Sequence, residues 1–247
     1  KKIKSIHFVG IKGVGMTPLA IIAKEAGFEV TGSDVSDTFI TDVELKKAGI
    51  TPFVGFDPKH IEGADLVIAT AAHGGMENVE VKRAMEVNIP VLNQGRALGL
   101  FLSGEILGKS YRGISVSGSH GKTTTTAMIA TVLAKNSLDP SYVIGTADIP
   151  SLSSCGHYGL GKYFVTEADE YFADVVTDKT PKFLFQKPQI LAVTNIDFDH
   201  PDIYTGVDQI REVFVKFTKN ITPDGVLIAC GDGPENRKFL NQVDVRK

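Results

Sequence analysis

The chain has 247 residues and a formal net charge of −3, with 43% hydrophobic and 22% charged residues, the balance of a globular protein with room for one large or two ordinary domains. No long basic run accompanies that charge, so a nucleic-acid partner has no electrostatic footprint, while local loops and helix ends remain open to anionic ligands. Cys155 and Cys230 form no CxxC pair, no stretch reaches bilayer-spanning length, and KKIKSIHFVG lacks a signal-peptide cleavage region, so a cytoplasmic protein without a membrane partner is expected.

In chain order, the pattern predicts a strand over 3–9, a helix over 16–26 and a strand over 28–32. A helix over 41–48 stops at Gly49, a C-terminal signal. A strand over 66–69, a helix over 79–87 and a strand over 90–92 continue the rhythm, which argues for a parallel, doubly wound α/β sheet. The glycine-rich, polar stretch SGEILGKSYRG over 103–113 breaks it, giving an expected first domain over 1–105 and a second over 106–247. A fresh cycle opens with a strand over 114–117 and a helix over 123–134. Further strands are predicted over 163–166, 190–194 and 225–229, and a helix over 208–218. The final GDGPENRKFLNQVDVRK reads as a helix beginning, so an abrupt end is expected.

The first motif follows the first predicted strand. Gly10-Ile11-Lys12-Gly13-Val14-Gly15 is a G-x-G-x-x-G before a helix, and Asp34 follows 19 residues after Gly15. Such a turn brings backbone close to a diphosphate at a helix N-terminus, and the acid suits a ribose hydroxyl. A Rossmann-like domain is expected, holding a nicotinamide dinucleotide or a nucleotide sugar. Glycines also make strand-to-helix turns with no ligand at all.

The second motif is Gly118-Ser119-His120-Gly121-Lys122-Thr123-Thr124 between a strand and a helix. It is two residues shorter than the usual phosphate loop, yet it keeps the chemistry. Amides at a helix N-terminus cradle phosphates, Lys122 reaches the terminal phosphate, and the Thr123 hydroxyl ligates Mg2+. A P-loop-type α/β domain binding ATP and Mg2+ is expected. A lysine at a helix start is disfavoured by the helix dipole unless it has such a task.

Two further strands end in polar clusters, Glu167-Ala168-Asp169-Glu170-Tyr171 and Asn195-Ile196-Asp197-Phe198-Asp199-His200. Carboxylates and an imidazole at the carboxyl edge of a sheet, beside a phosphate loop, suit a divalent cation. Any one of these acids alone reads as a solvated loop group.

GSHGKTTTTAMIA from Gly118, TEADEY from Thr166, VTNIDFDHPDIY from Val193 and HFVGIKGVGM from His7 together resemble the Mur ligase family, over almost the whole chain. The resemblance implies an N-terminal domain for a UDP-sugar and a central domain for Mg-ATP. It implies an ATP-dependent carboxylate–amine ligase of peptidoglycan synthesis. The lactyl carboxylate of UDP-N-acetylmuramate would pass through an acyl phosphate to an amine, either L-alanine or a recycled murein tripeptide. By position, Lys122 would stabilise the transferring phosphate, and Thr123 and Glu167 would bind one Mg2+. His200 would ligate a second Mg2+, with Asn195 and Asp199 in support. Gly10, Gly13, Gly15 and Asp34 would hold the UDP part, with Thr70, Ala71, Ala72 and Arg96 as further candidates.

Departures from the family pattern are visible as well. Lys12 stands where a small residue is expected, adding a phosphate contact or narrowing the pocket. SLSSCGHYGLG over 151–161 lacks the asparagine expected before the next strand. DKTPKF from Asp178 and GFDPKH from Gly55 look closer to the tripeptide-adding members. The family's third, C-terminal domain is absent here, so UDP-sugar binding without amide formation is the expectation for this chain alone. Rival classes explain less: a dehydrogenase gives GSHGKTT no role, and a GTPase lacks a guanine-reading N-K-x-D.

Overall fold

A computed structural model describes residues 2–244, and its elements form two sheets placed one after the other along the chain. The first half runs β1 (Ser5–Val9), α1 (Thr17–Glu25), β2 (Glu29–Asp34), α2 (Asp42–Lys47), β3 (Phe53–Val54), β4 (Leu66–Ala69), α3 (Val79–Glu86), β5 (Val91–Asn93) and α4 (Gln94–Ser103). Its five strands are all parallel, in the order β3-β2-β1-β4-β5. The chain therefore leaves β1 toward one edge and returns to β4 on the other side. The crevice beyond the carboxyl ends of β1 and β4 is the switch point where open α/β sheets bind ligands.

The second half runs β6 (Arg112–Ser117), α5 (Lys122–Lys135), β7 (Ser141–Val143), β8 (Gly156–His157), β9 (Tyr163–Glu167), β10 (Phe172–Asp174), β11 (Asp178–Pro181), β12 (Ile190–Val193), α6 (Val207–Thr218), β13 (Val226–Ala229) and α7 (Pro234–Gln242). Six strands form a sheet in the order β13-β12-β6-β9-β7-β8, parallel except for β8, while β10 and β11 form a separate hairpin. Central β6 lies between β9 and β12. The loops leaving all three strands at their carboxyl ends therefore converge, and these are the three loops that carry the second motif and the two polar clusters.

Apolar runs explain the inner strands. Leu66–Ala69 is buried at every position and Ser5–Val9 at all but the first, as expected of parallel strands covered on both faces. The predicted elements are all present, with ends shifted by a few residues, and the C-terminal tract does form a helix, α7, although its last three residues lie outside those described. Absent from the predicted series are the short strands β3, β7, β8, β10 and β11 and, most consequentially, helix α4. Its Ala97, Leu98, Phe101 and Leu102 share one core with Ile6, Phe8 and Leu19 of the first half and Val143 and Phe164 of the second. The two sheets are thus joined by a continuous apolar core. Among the described residues, no helix is long and apolar enough to cross a membrane.

Candidate active site

The glycine-rich turn leaves β1 with Gly10 at φ +77°, and the amides of Gly10 and Ile11 donate to the Ser33 carbonyl at 2.9 and 3.1 Å. Gly13 and Gly15 follow at the entrance to α1 and face a cleft between the two halves. Asp34 lies beneath this turn, only 1% exposed. It accepts the Lys12 amide at 2.7 Å and the Val35 amide at 2.8 Å, and His73 Nε2 sits 3.3 Å away. These contacts brace the glycine-rich turn from below. Lys12 corrects its expectation: the side chain neither meets the cleft nor narrows it. Its ammonium instead donates to the carbonyls of Val35 and Asp37 at 3.1 and 2.9 Å, tying down the following loop.

Thr70 and Ala71, at the carboxyl end of β4, line the same cleft, and Ala72 lies exposed beside them. Arg96 is placed elsewhere. It stacks over the Phe185 ring at 4.6 Å, 3.6 Å from Asp178, and lines a separate hollow of about 210 Å³. The amide of Gln94, two residues earlier, takes the position facing the glycines and donates to the Gly15 carbonyl at 3.3 Å.

The phosphate loop is held by the end of β12. A side chain at Gly118 (φ +140°) would collide with the Thr194 hydroxyl, so this position needs glycine for both space and conformation. Asn195 clasps the next turn: its Oδ1 accepts the His120 amide and its Nδ2 donates to the His120 carbonyl, each at 2.9 Å. Its own carbonyl accepts the Ser119 amide at 3.1 Å. The Ser119 hydroxyl donates to the Asp197 carbonyl at 2.9 Å. Gly121 precedes α5 with no side-chain cap, leaving first-turn amides free to meet an anion. Thr124 is exposed at that first turn. Lys122 folds back over the loop, donating to the Gly118 carbonyl at 2.8 Å and to both Glu170 oxygens at 3.0 Å.

The acids divide into two groups. Glu167 accepts the Thr123 hydroxyl at 2.8 Å and the Gly145 amide at 2.6 Å, and burial pushes its carboxyl above the usual range despite these bonds. Asp169, Glu170 and His200 form the second group, each offering a ligand atom, all within 4.8 Å of one another. Glu170 is fully buried, which pushes its carboxyl up against the opposing pull of Lys122. Burial alone would raise Asp169 too, but the Lys182 ammonium at 2.8 Å outweighs it and holds the carboxyl low. His200, in a left-handed conformation at φ +55°, lies 3.4 Å from Glu170 and 3.9 Å from Asp199. Hydroxyl and carboxylate oxygens with one imidazole suit a hard divalent cation such as Mg2+, and ionised carboxylates raised by burial gain most from its charge.

One cleft of about 410 Å³ joins these parts, lined by Gly13, Gly15 and Thr70 from the first half and by Lys122, Glu167 and Lys182 from the second. A further hollow of about 400 Å³ lies on the Asn195 side of the phosphate loop, bounded by Thr194, Asp197, Asp232 and Asn236. Lys182, Gln94 and Asn236 were not among the residues singled out from sequence. Asp169 and Glu170 stand there as members of an expected cation-binding cluster, without individual assignments. Lys182 stood in DKTPKF, read only as a likeness.

The description Mur ligase family, catalytic domain, matches residues 5–105, and Mur ligase middle domain matches residues 116–247. UDP-N-acetylmuramate–L-alanine ligase of Desulfitobacterium hafniense is 40% identical over 97% of this chain and 50% of its own length. The protein of the same description from Caldanaerobacter subterraneus is 37% identical over 99% and 50%. The chain spans about half the length of the curated relatives it matches. Among solved structures, the UDP-N-acetylmuramate:L-alanyl-gamma-D-glutamyl-meso-diaminopimelate ligase from Neisseria meningitides superposes with TM-score 0.81 at 30% identity, over 97% of this chain and 75% of that one. UDP-N-acetylmuramate-alanine ligase from Thermotoga maritima gives 0.78 at 30% identity, over 95% and 51%.

Proposed function

The chain belongs to the Mur ligase family, and we propose that it carries the UDP-sugar and Mg-ATP sites of a ligase joining L-alanine to the lactyl carboxylate of UDP-N-acetylmuramate. The single observation that carries this reading is the cleft in which the glycine-rich turn faces Lys122 and Glu167. A diphosphate at α1 and a triphosphate at α5 would bring their reacting ends toward each other there. Residues 1–105 supply the UDP-sugar unit and residues 106–247 the ATP unit, with the hollow beside Asn236 assigned to the nucleoside end of ATP. Amide formation is assigned to a protein of the relatives' full length.

In this reading the carboxylate attacks the γ-phosphorus of ATP, giving an acyl phosphate and ADP. The amine then displaces phosphate. Lys122 meets the charge developing on the transferring group, and Asn195 holds the loop that presents backbone amides to it. Thr123 with Glu167, and His200 with Asp169 and Glu170, would hold Mg2+, which neutralises phosphate oxygens when bound. A cytoplasmic location belongs to the same reading, since the reaction would draw on ATP.

A second reading keeps the chemistry and changes the amine to a murein tripeptide. The DKTPKF and GFDPKH segments favour it, as does the likeness to the Neisseria enzyme. Calorimetric titration with UDP-N-acetylmuramate and with NADH tests the common part: binding of the former and not the latter is expected, and the reverse would return the glycine-rich turn to a dehydrogenase. Mass spectrometry of products formed with L-alanine or tripeptide chooses between the amines.

A further inference from the structure

We propose that Lys182 receives the carboxylate of the sugar nucleotide and holds it beside the phosphate loop; this rests on reading the cleft as the meeting place of a UDP-sugar acid and ATP. Two lysines line that cleft. Lys122 is committed to the Gly118 carbonyl and to both oxygens of Glu170. Lys182 has one hydrogen-bonded partner, Asp169, at 2.8 Å, with the Tyr171 ring centroid 5.6 Å from its ammonium, and its side chain is 23% exposed. It therefore has the freedom to take a second anion.

The position is built from both halves of the molecule. Lys182 opens the short turn Lys182–Phe185 that follows β11. Its stem runs across the first turn of α4, where a Cβ added at Gly95 would lie 3.1 Å from both Cβ and Cγ of the lysine. The absence of a side chain at 95 lets the ammonium pass into the cleft, opposite Gly13 and Gly15.

Charge balance gives the residue its task. Without Lys182, the cleft would set Glu167 and Asp169 against the single charge of Lys122, and an incoming carboxylate would meet repulsion. Asp169 is also one of three donors in the cation cluster. With a divalent ion there, the Asp169 charge is shared and the Lys182 ammonium can turn to a second carboxylate. The DKTPKF segment, which otherwise has no part in nucleotide or metal binding, thereby gains a role in substrate selection.

The test is calorimetric titration of the 247-residue chain, with Mg2+ present, using UDP-N-acetylmuramate and UDP-N-acetylglucosamine. The second ligand is the same sugar nucleotide without the lactyl acid. The unsubstituted chain should prefer the acid by roughly ten- to hundredfold, the range of a charge-assisted hydrogen bond. Lys182→Met keeps the apolar stem and removes the ammonium, so its affinity for the acid should fall to that for the glucosamine, which should itself be unchanged. Lys182→Arg should restore part of the preference. A Lys182→Met chain that keeps the full preference, or loses affinity for both ligands alike, would overturn the assignment. An unsubstituted chain that binds both ligands equally would overturn it while leaving the nucleotide site standing. One that binds neither would remove the functional reading together with it.

Discussion

Lys122 lies 3.0 Å from both carboxylate oxygens of Glu170, a residue with no exposed surface. A buried carboxylate left without a partner is strongly destabilising, so the lysine cannot simply swing away to meet a phosphate. His200 Nε2 stands 3.4 Å from the same carboxylate, and the Tyr204 hydroxyl donates to the Glu170 carbonyl at 2.6 Å. The Glu170 carboxylate would thus keep His200 beside it if Lys122 were shared with a ligand. The carboxylate holds the ammonium at the mouth of the loop.

Replacing Lys122 with alanine should remove that shared charge. Phosphoryl transfer, followed as ADP release dependent on UDP-N-acetylmuramate in a catalytically complete protein, should fall on the order of 10²–10³-fold, the loss of one transition-state charge contact. Affinity for UDP-N-acetylglucosamine, which lacks the acid, should stay within about twofold, because the glycine-rich turn belongs to the other sheet. Near-normal turnover would remove the phosphate-loop assignment.

Glu167 should show a conflict between stability and function. Its folded pKa is raised, chiefly by burial. The favourable contribution of this group is fully present below its unfolded value and is lost as pH rises through the folded one. Glutamine at 167 can still accept from Gly145 N–H and donate to Thr123, and it carries no charge to desolvate. Glu167→Gln should therefore melt higher than the parent at pH 8, by roughly 2–4 °C for each ~1 kcal/mol relieved, and the gain should shrink toward pH 4. The same variant should need more Mg2+ for turnover. A lower melting temperature at pH 8 would show that the charge is stabilising in place.

Strands β1, β2, β4, β5, β6, β9, β12 and β13 and both loops were legible in sequence because each is a local pattern, an apolar run and then glycines or polar residues at its end, whereas β3, β7, β8, β10 and β11 are too short or too polar to show one. Helix α4 was not. Its Gly95 and Gly99 interrupt the apolar period, and the structure explains them by the close approach of Lys182 and of the Phe185 carbonyl. Side-chain pairing was also out of reach. TEADEY offers three acids, and the register of β9 against β6, Glu167 opposite Val116, decides which one meets Thr123 and which meets Lys122. Lys12 misled for a related reason. A lysine inside a glycine-rich turn invites a phosphate, but the course of the following loop offers two carbonyls nearer by.

Asn195 carries a different expectation now that its contacts are known. Both ends of its amide hold the backbone of His120, so its expected action on a nucleotide is indirect, by fixing the loop. Each such hydrogen bond contributes about 1 kcal/mol net. Asn195→Ala should weaken ATP binding roughly tenfold, measured by titration with a non-hydrolysable analogue, and leave UDP-sugar affinity unchanged. A turnover loss with full ATP affinity would place the side chain on the reacting atoms instead.

His157 joins the two halves of the molecule through charge. Its ring lies 2.9 Å from Glu25 at the end of α1 and 3.1 Å from Asp139, while the Tyr158 amide donates to the same Glu25 oxygen at 2.7 Å. The facing groups are these two carboxylates and the Tyr142 ring, with Lys109 acting on Asp139. The hydrogen bond to Glu25, followed by that to Asp139, raises the His157 pKa against the opposing effect of burial. Glu25 is lowered: burial would raise it, but His157 and the Tyr158 amide outweigh that. The Leu160 amide leads in lowering Asp139. A raised histidine contributes stability that is fully present below about 6.5 and is lost as pH rises through its folded value. Lowered carboxylates contribute above about 4 and lose it as pH falls. The bridge is therefore strongest between about pH 4 and 6.5. His157→Ala should lower the melting temperature most at pH 6, and the deficit should narrow by pH 9. The groups are partly exposed, so the bridge is worth about 0.2–1 kcal/mol per pair, or roughly 1–4 °C here. Glu25→Gln should flatten the same pH dependence, since it removes the leading cause of the histidine's shift. A His157→Ala deficit that is equal at pH 6 and pH 9 would mean that the ring serves only as packing between α1 and β8.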